Sequence, residues 1–107
     1  ENFPIMFGND MPAAGWEALL AQLGPDMWPP SSYTYRDWRY AHLSSFPSTF
    51  ILCERDMALP PPWQERFAAT LRATDMVRID AGHQTMNSQP EALADVLLAQ
   101  MGFDRVR

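Results

Sequence analysis

The sequence predicts an α/β fold, with its regular part in the second half of the chain. Three observations carry this. "STFILCE" (residues 48–54) is a nearly continuous apolar run of strand length, as expected for a strand buried on both faces of a parallel sheet. "DMVRID" (75–80) reads as a second short strand. A helical pattern separates the two strands and another follows the second, giving strand–helix–strand–helix; such a crossover makes the strands parallel.

Taken in order, "ENFPIMFGND" has no clear period. Asp10 stands where it can cap a helix that has Pro12 in its first turn and runs through Trp16, Leu19, Leu20 and Leu23, with Gly24 and Pro25 as the stop. "PDMWPPSSYTYRDWRYAHLSSFP" is rich in proline and aromatics, and one helical turn is expected near Asp37 to Leu43. Residues 1–47 would make a poor independent core, so they read as covering structure, a lid or connector. From residue 48 the text becomes regular. "RDMALPPP" ends the first strand, and a helix is expected from about Pro61 to Arg72, with Trp63, Phe67 and Leu71 on one face. "AGHQTMN" is a loop. Ser88 and Glu91 form an S-x-x-E capping box with Pro90 in the first turn. The helix they start reaches about Met101, buries Leu93, Val96, Leu97 and Met101, and ends at Gly102.

Composition narrows the function classes. With 47% apolar, 12% aromatic and 20% charged residues among 107, the chain has the make-up of a small globular domain. A formal charge of −5 argues against a nucleic-acid partner, because no basic patch neutralises phosphates. No apolar run approaches the roughly 18 residues that span a bilayer, so no membrane partner is expected. The single cysteine, Cys53, excludes an internal disulfide and fits a reducing, cytoplasmic setting. His42 and His83 have no Cys or His at ligand spacing, so neither a metal nor any cofactor is expected.

A two-stranded parallel sheet cannot cover both of its faces or hide its edges. The chain is therefore expected to be part of a larger α/β domain that pairs its strands with a sheet supplied elsewhere.

Strand direction locates the chemistry. Asp56 follows the first strand and His83 the second, so both fall at the carboxyl end of the sheet, where open α/β sheets place ligands and reactive groups. Neighbouring strands about 5 Å apart bring a carboxylate and an imidazole within hydrogen-bonding reach. Asp56 would then fix the His83 tautomer and leave the ring to act as a general base. Each residue alone is more often structural, the aspartate as a turn former and the histidine as loop packing. Their joint placement is what raises the catalytic reading.

Beyond the physical pattern, "PSTFILCERDMALPPPWQ" and "MVRIDAGHQTMNSQPEALADVLL" resemble the C-terminal end of the α/β-hydrolase superfamily, most closely the small-esterase branch with plant methyl-ester esterases and hydroxynitrile lyases. The shared features are a strand leading to C-x-x-D-x-x-x-P, a downstream Gln, a G-H turn and S-x-P-E-x-L. "FGNDMPAAGWEALLAQLGP" resembles the last part of that branch's helical cap. The resemblance implies that residues 1–47 are the end of the cap and a connector, and that residues 48–107 are the C-terminal part of the core domain. It implies that Asp56 is the triad acid and His83 the triad base. Glu54 is a competing carboxylate that ranks behind Asp56 because it lies within the strand. Gln84, Met86 and Asn87 are candidates to line a pocket, with Met86 equally a packing residue; Trp16 and Trp28, in the cap-like region, could face substrate, but packing is the preferred reading and neither is assigned a role.

The third triad member is missing. Gly8, Gly15, Gly24, Gly82 and Gly102 flank no G-x-S-x-G serine. Ser31, Ser32, Ser44, Ser45 and Ser48 stand in irregular segments, Ser88 reads as a helix cap, and Cys53 sits in an apolar strand where a thiol stays protonated. The resemblance thus implies an N-terminal portion on another chain, arising by cleavage within the cap or by expression as a fragment, that carries the nucleophilic serine and the oxyanion hole. A start at Glu1 rather than Met is consistent with processing. The function expected is a serine-type ester hydrolase, active when assembled, on small apolar esters or lactones. A hydroxynitrile lyase or biosynthetic cyclase of the same fold and a non-catalytic α/β binding module are the alternatives, and further homo-oligomerisation is left open.

Overall fold

The computed structural model describes residues 2–25 and 27–103; Glu1, Asp26 and the last four residues of the expected core segment lie outside the described residues. In chain order the elements are helices α1 (Phe3–Phe7), α2 (Ala13–Gln22) and α3 (Ser31–Thr34), a 3-10 turn at Ala41–Ser45, strand β1 (Thr49–Cys53), helix α4 (Pro61–Leu71), strand β2 (Asp75–Ile79), and helices α5 (Thr85–Ser88) and α6 (Pro90–Gln100). The second half has the strand–helix–strand–helix order that its apolar patterning predicts.

β1 and β2 pair in parallel, from Thr49 opposite Asp75 to Cys53 opposite Ile79. The carbonyl of Ser48 opens the ladder by accepting the N–H groups of Thr74 and Asp75 at 2.9 and 3.1 Å. At the other end the pairing runs past both strands: Glu54 N–H donates to Ile79 C=O at 2.9 Å and Arg55 N–H to Ala81 C=O at 3.0 Å. The ladder therefore stops one residue before Asp56 and two before His83.

The core is small. Among the described residues Leu52 is the one large side chain fully buried, and Ala68, Ile79 and Ala81 complete the buried apolar set. Helix α4 packs on β1 through Gln64 and Ala68. This corrects the expected helix face, since Trp63 and Phe67 point outward, their rings 6.4 Å apart with the Arg66 guanidinium over Trp63. The reason lies in the end of β1, whose unpaired peptide groups select Gln64, while small Ala68 allows the close approach that Trp63 and Phe67 would block.

Other expectations need correction. The unpatterned start forms α1 around Pro4, and the turn expected near Asp37 to Leu43 occurs at Ala41–Ser45, after the separate α3. α2 is capped by neither Asp10 nor any other side chain; Pro12 occupies the cap position. Ser88 and Glu91 form no capping box, because Ser88 ends α5 and the residue before α6 is Gln89. Leu93 and Val96 on α6 are half-buried, whereas Leu97 and Met101 are exposed.

Much apolar surface is uncovered. The accessible area is 8476 Å² for 12.2 kDa, against roughly 6,000 Å² for a compact monomer of that mass. Met27, Trp28, Tyr33, Phe46 and Trp63 are each more than half exposed.

Candidate active site

The site is assembled at the carboxyl ends of the two strands, where the buried polar side chains Asp56, Gln64 and Thr85 lie. Asp56, 5% exposed, sits at the turn after β1. Its Oδ1 accepts the backbone N–H groups of Ala58 at 2.9 Å and Leu59 at 2.8 Å, an aspartate turn that holds the carboxylate and satisfies it while buried. Pro60 then directs the chain into α4.

His83 lies beyond β2 in Ala81-Gly82-His83. Its Nδ1 is 2.9 Å from Asp56 Oδ2 and 3.1 Å from Oδ1, so the carboxylate grips this one nitrogen across 27 positions of sequence. The His83 side chain is one-third exposed and that of Asp56 almost wholly buried. The Phe7 ring stands edge-on to the imidazole, with centroids 5.0 Å apart and planes at 83°. With Nδ1 engaged by Asp56, Nε2 is the nitrogen available to a reacting group.

Buried polar side chains brace both loops. Gln64 Nε2 donates to the carbonyls of Cys53 and Leu59 at 2.9 and 2.7 Å, while its Oε1 accepts Cys53 N–H at 2.9 Å. Thr85 Oγ1 donates to Gly82 C=O at 2.9 Å and lies 2.9 Å from Cys53 Sγ. Arg55 reaches Asp80 through both the side-chain and main-chain oxygens, at 2.7 and 2.8 Å, on the exposed side.

The loop predicted at "AGHQTMN" contains α5, and the sequence reading missed its strongest tertiary tie. Asp10 Oδ2 accepts Gly82 N–H at 2.7 Å and Ser88 Oγ–H at 2.6 Å. Burial pushes the Asp10 carboxyl pKa up, but hydrogen bonds from Ser88, Gly82 and its own backbone, with the nearby Arg55 charge, outweigh that and hold it below the usual carboxylate value. Short polar residues beside helix starts read locally as caps, which hid this link.

The remaining candidates separate. Glu54 is exposed and contributes its backbone to the ladder, while its carboxylate stands apart from the His83 contact. Gln84 is half-buried and accepts from Asn87 Nδ2 at 3.2 Å; Asn87 faces a groove against Met11, Gly15 and Leu19; Met86 is exposed. Trp16 is half-buried against Gly8, where a Cβ would overlap its ring, and Trp28 is exposed. Cys53 is half-buried and bonded to Thr85. Among the described residues no three of His, Cys, Asp and Glu are grouped to hold a metal ion, and no helix is long and apolar enough to cross a membrane.

Comparison with known proteins adds two similarities. A family model described as "Alpha/beta hydrolase family" matches residues 2–96. "Probable hydrolase R7" from Phoma sp. is 38% identical over 62 residues, which cover 53% of this chain and 25% of that protein. The chain thus spans about a quarter of the length of the relative it matches. No solved structure matches the chain.

Proposed function

The chain belongs to the alpha/beta hydrolase family, and from that membership we propose that it supplies the acid and the base of a serine-type ester hydrolase, with the nucleophile on a separate N-terminal portion. The observation that carries the reading is the pairing of His83 Nδ1 with a buried, backbone-anchored Asp56 at the carboxyl end of a parallel sheet. An imidazole held by one nitrogen in this way has a set tautomer and a basic Nε2.

In the reaction, the serine Oγ attacks the ester carbonyl carbon and its proton passes to Nε2 of His83. The imidazolium formed is stabilised by Asp56. The C–O bond to the leaving group then breaks, and the same proton passes from Nε2 to the departing alkoxide. His83 then takes a proton from a water whose oxygen attacks the acyl carbon, and passes it to the serine Oγ as the acyl C–O bond breaks and the carboxylic acid leaves. The aromatic and methionine side chains of the first half favour a small apolar acyl or alkoxy group, as in an aromatic or alkyl ester or a lactone. The uncovered apolar surface and the open edges of β1 and β2 support assembly with further strands.

The test is His83→Ala in the assembled protein, with cleavage of p-nitrophenyl acetate followed by absorbance. Turnover is expected to fall roughly a thousand-fold or more; undiminished turnover rejects the reading. Asp56→Asn, which retains the acceptor for Ala58 and Leu59, is expected to lower turnover on a similar scale while the protein stays folded.

A further inference from the structure

We propose that Asn9 and Asp10 form a positioning clasp that sets the separation of the acid and base loops, an inference that rests on the proposed roles of Asp56 and His83. Two consecutive side chains reach the two residues that immediately precede the pair. Asn9 Nδ2 donates to the Arg55 carbonyl at 2.8 Å, and Arg55 is bonded to Asp56. Asp10 Oδ2 accepts Gly82 N–H at 2.7 Å, and Gly82 is bonded to His83. The same oxygen takes Ser88 Oγ–H at 2.6 Å, which secures the far end of the histidine loop.

The position of these bonds gives them their effect. The β ladder ends with Arg55 N–H on Ala81 C=O, so regular pairing does not reach Asp56 or His83. Their mutual distance depends on the two loops that continue beyond that point. A single dipeptide joined to both loops fixes the gap, because adjacent residues on a trans chain keep Cα atoms about 3.8 Å apart. Phe7, three residues before Asp10, adds its ring edge to the imidazole. Gly82 permits the arrangement: a Cβ there would overlap Asp10 Oδ1 and Asn9 Oδ1. Asp10 Oδ1 is itself buried without a hydrogen-bond partner among the described residues, a cost offset by the two short bonds on Oδ2. Asn9 and Asp10 touch neither Asp56 nor the imidazole by hydrogen bond; they act through the backbone.

The experiment compares wild type, Asp10→Ala, Asp10→Asn and His83→Ala in the assembled protein. It reads kcat and KM on p-nitrophenyl acetate and, by proton NMR, the far-downfield resonance of the His83 Nδ1–H bonded to Asp56. Asp10→Ala is expected to lower kcat by about ten- to a hundred-fold, with KM nearly unchanged, and to shift or broaden the downfield proton. Asp10→Asn keeps an acceptor for Gly82 and Ser88 and is expected to restore most of kcat and the resonance. A wild-type kcat and resonance in Asp10→Ala overturn the clasp while His83→Ala still abolishes turnover. If His83→Ala instead turns over normally, the base reading falls, and the downfield proton alone decides the clasp. Should Asp10→Ala fail to fold, Asn9→Ala, which removes only the bond to Arg55, decides by the same two readouts.

Discussion

Gln64 grips both backbone polar groups of Cys53: its Nε2 donates to the carbonyl and its Oε1 accepts the N–H, each at 2.9 Å. Glu54 N–H bonds to β2, so by the alternation of a parallel ladder Cys53 turns its own groups to the opposite edge. The carboxamide of α4 thus stands in for the peptide of a neighbouring strand at the last position of β1. Replacing Gln64 by Leu leaves the Cys53 N–H and the Leu59 carbonyl without partners and the Cys53 carbonyl with only the Asp56 N–H at 3.3 Å, which should cost about 2–4 kcal/mol in urea unfolding. Gln64→Glu should cost more at neutral pH, because it turns a carboxylate oxygen toward two carbonyls; a Glu variant as stable as wild type would contradict this arrangement.

By the same alternation, Thr49 and Ile51 also present their N–H groups to the edge away from β2. Ile51→Pro therefore removes no β1–β2 hydrogen bond but denies a donor to any strand added there. We expect that variant to lose association with the nucleophile-bearing portion in co-purification. Unimpaired association would place the partner strand elsewhere.

Asp10 makes stability depend on acid in a defined direction. Its folded pKa is lowered, so its ionised form favours the folded state above the unfolded value, and that contribution fades as pH falls below about 4. The comparison is with Asp10→Asn, which cannot titrate. The wild-type advantage in urea midpoint should be full at neutral pH and should shrink between pH 4 and the lowered pKa. A difference that stays constant over that range would remove Asp10 as the source.

Helix α4 ends with Ala73 N–H on Ala68 C=O at 3.0 Å and Arg72 N–H on Ala69 C=O at 3.1 Å, a pair that forces Arg72 to φ 54° and ψ 44°. A residue with a Cβ is penalised there and glycine is not. Arg72→Gly is expected to raise stability by about 0.5–1 kcal/mol, read as a higher melting temperature; a lower one would mean that the Arg72 side chain contributes more than its backbone costs.

The strands, the crossover helix and the meeting of Asp56 with His83 were legible because each follows from a local or directional rule. Residues 50–53 are an unbroken apolar run, and parallel direction alone sends residues 56 and 83 to one end. Where tertiary structure overrides a local rule, the sequence misleads. Asp10 and Ser88 are both placed to cap a helix by spacing, yet they bond to each other across 78 positions. On α4, the i, i+4 aromatic spacing pointed to Trp63 and Phe67, whereas the packed stripe is Gln64 and Ala68, a polar and a small residue that hydrophobicity scales pass over.

Thr85 has one hydroxyl hydrogen, and it is committed to the Gly82 carbonyl. In the contact with Cys53 the sulfur must then be the donor, so a thiol-to-hydroxyl-to-carbonyl relay leads to the peptide unit beside His83. The sequence contains a single cysteine, hence a single S–H oscillator. Its infrared stretch is an intrinsic gauge of how firmly the histidine segment is seated, without any label.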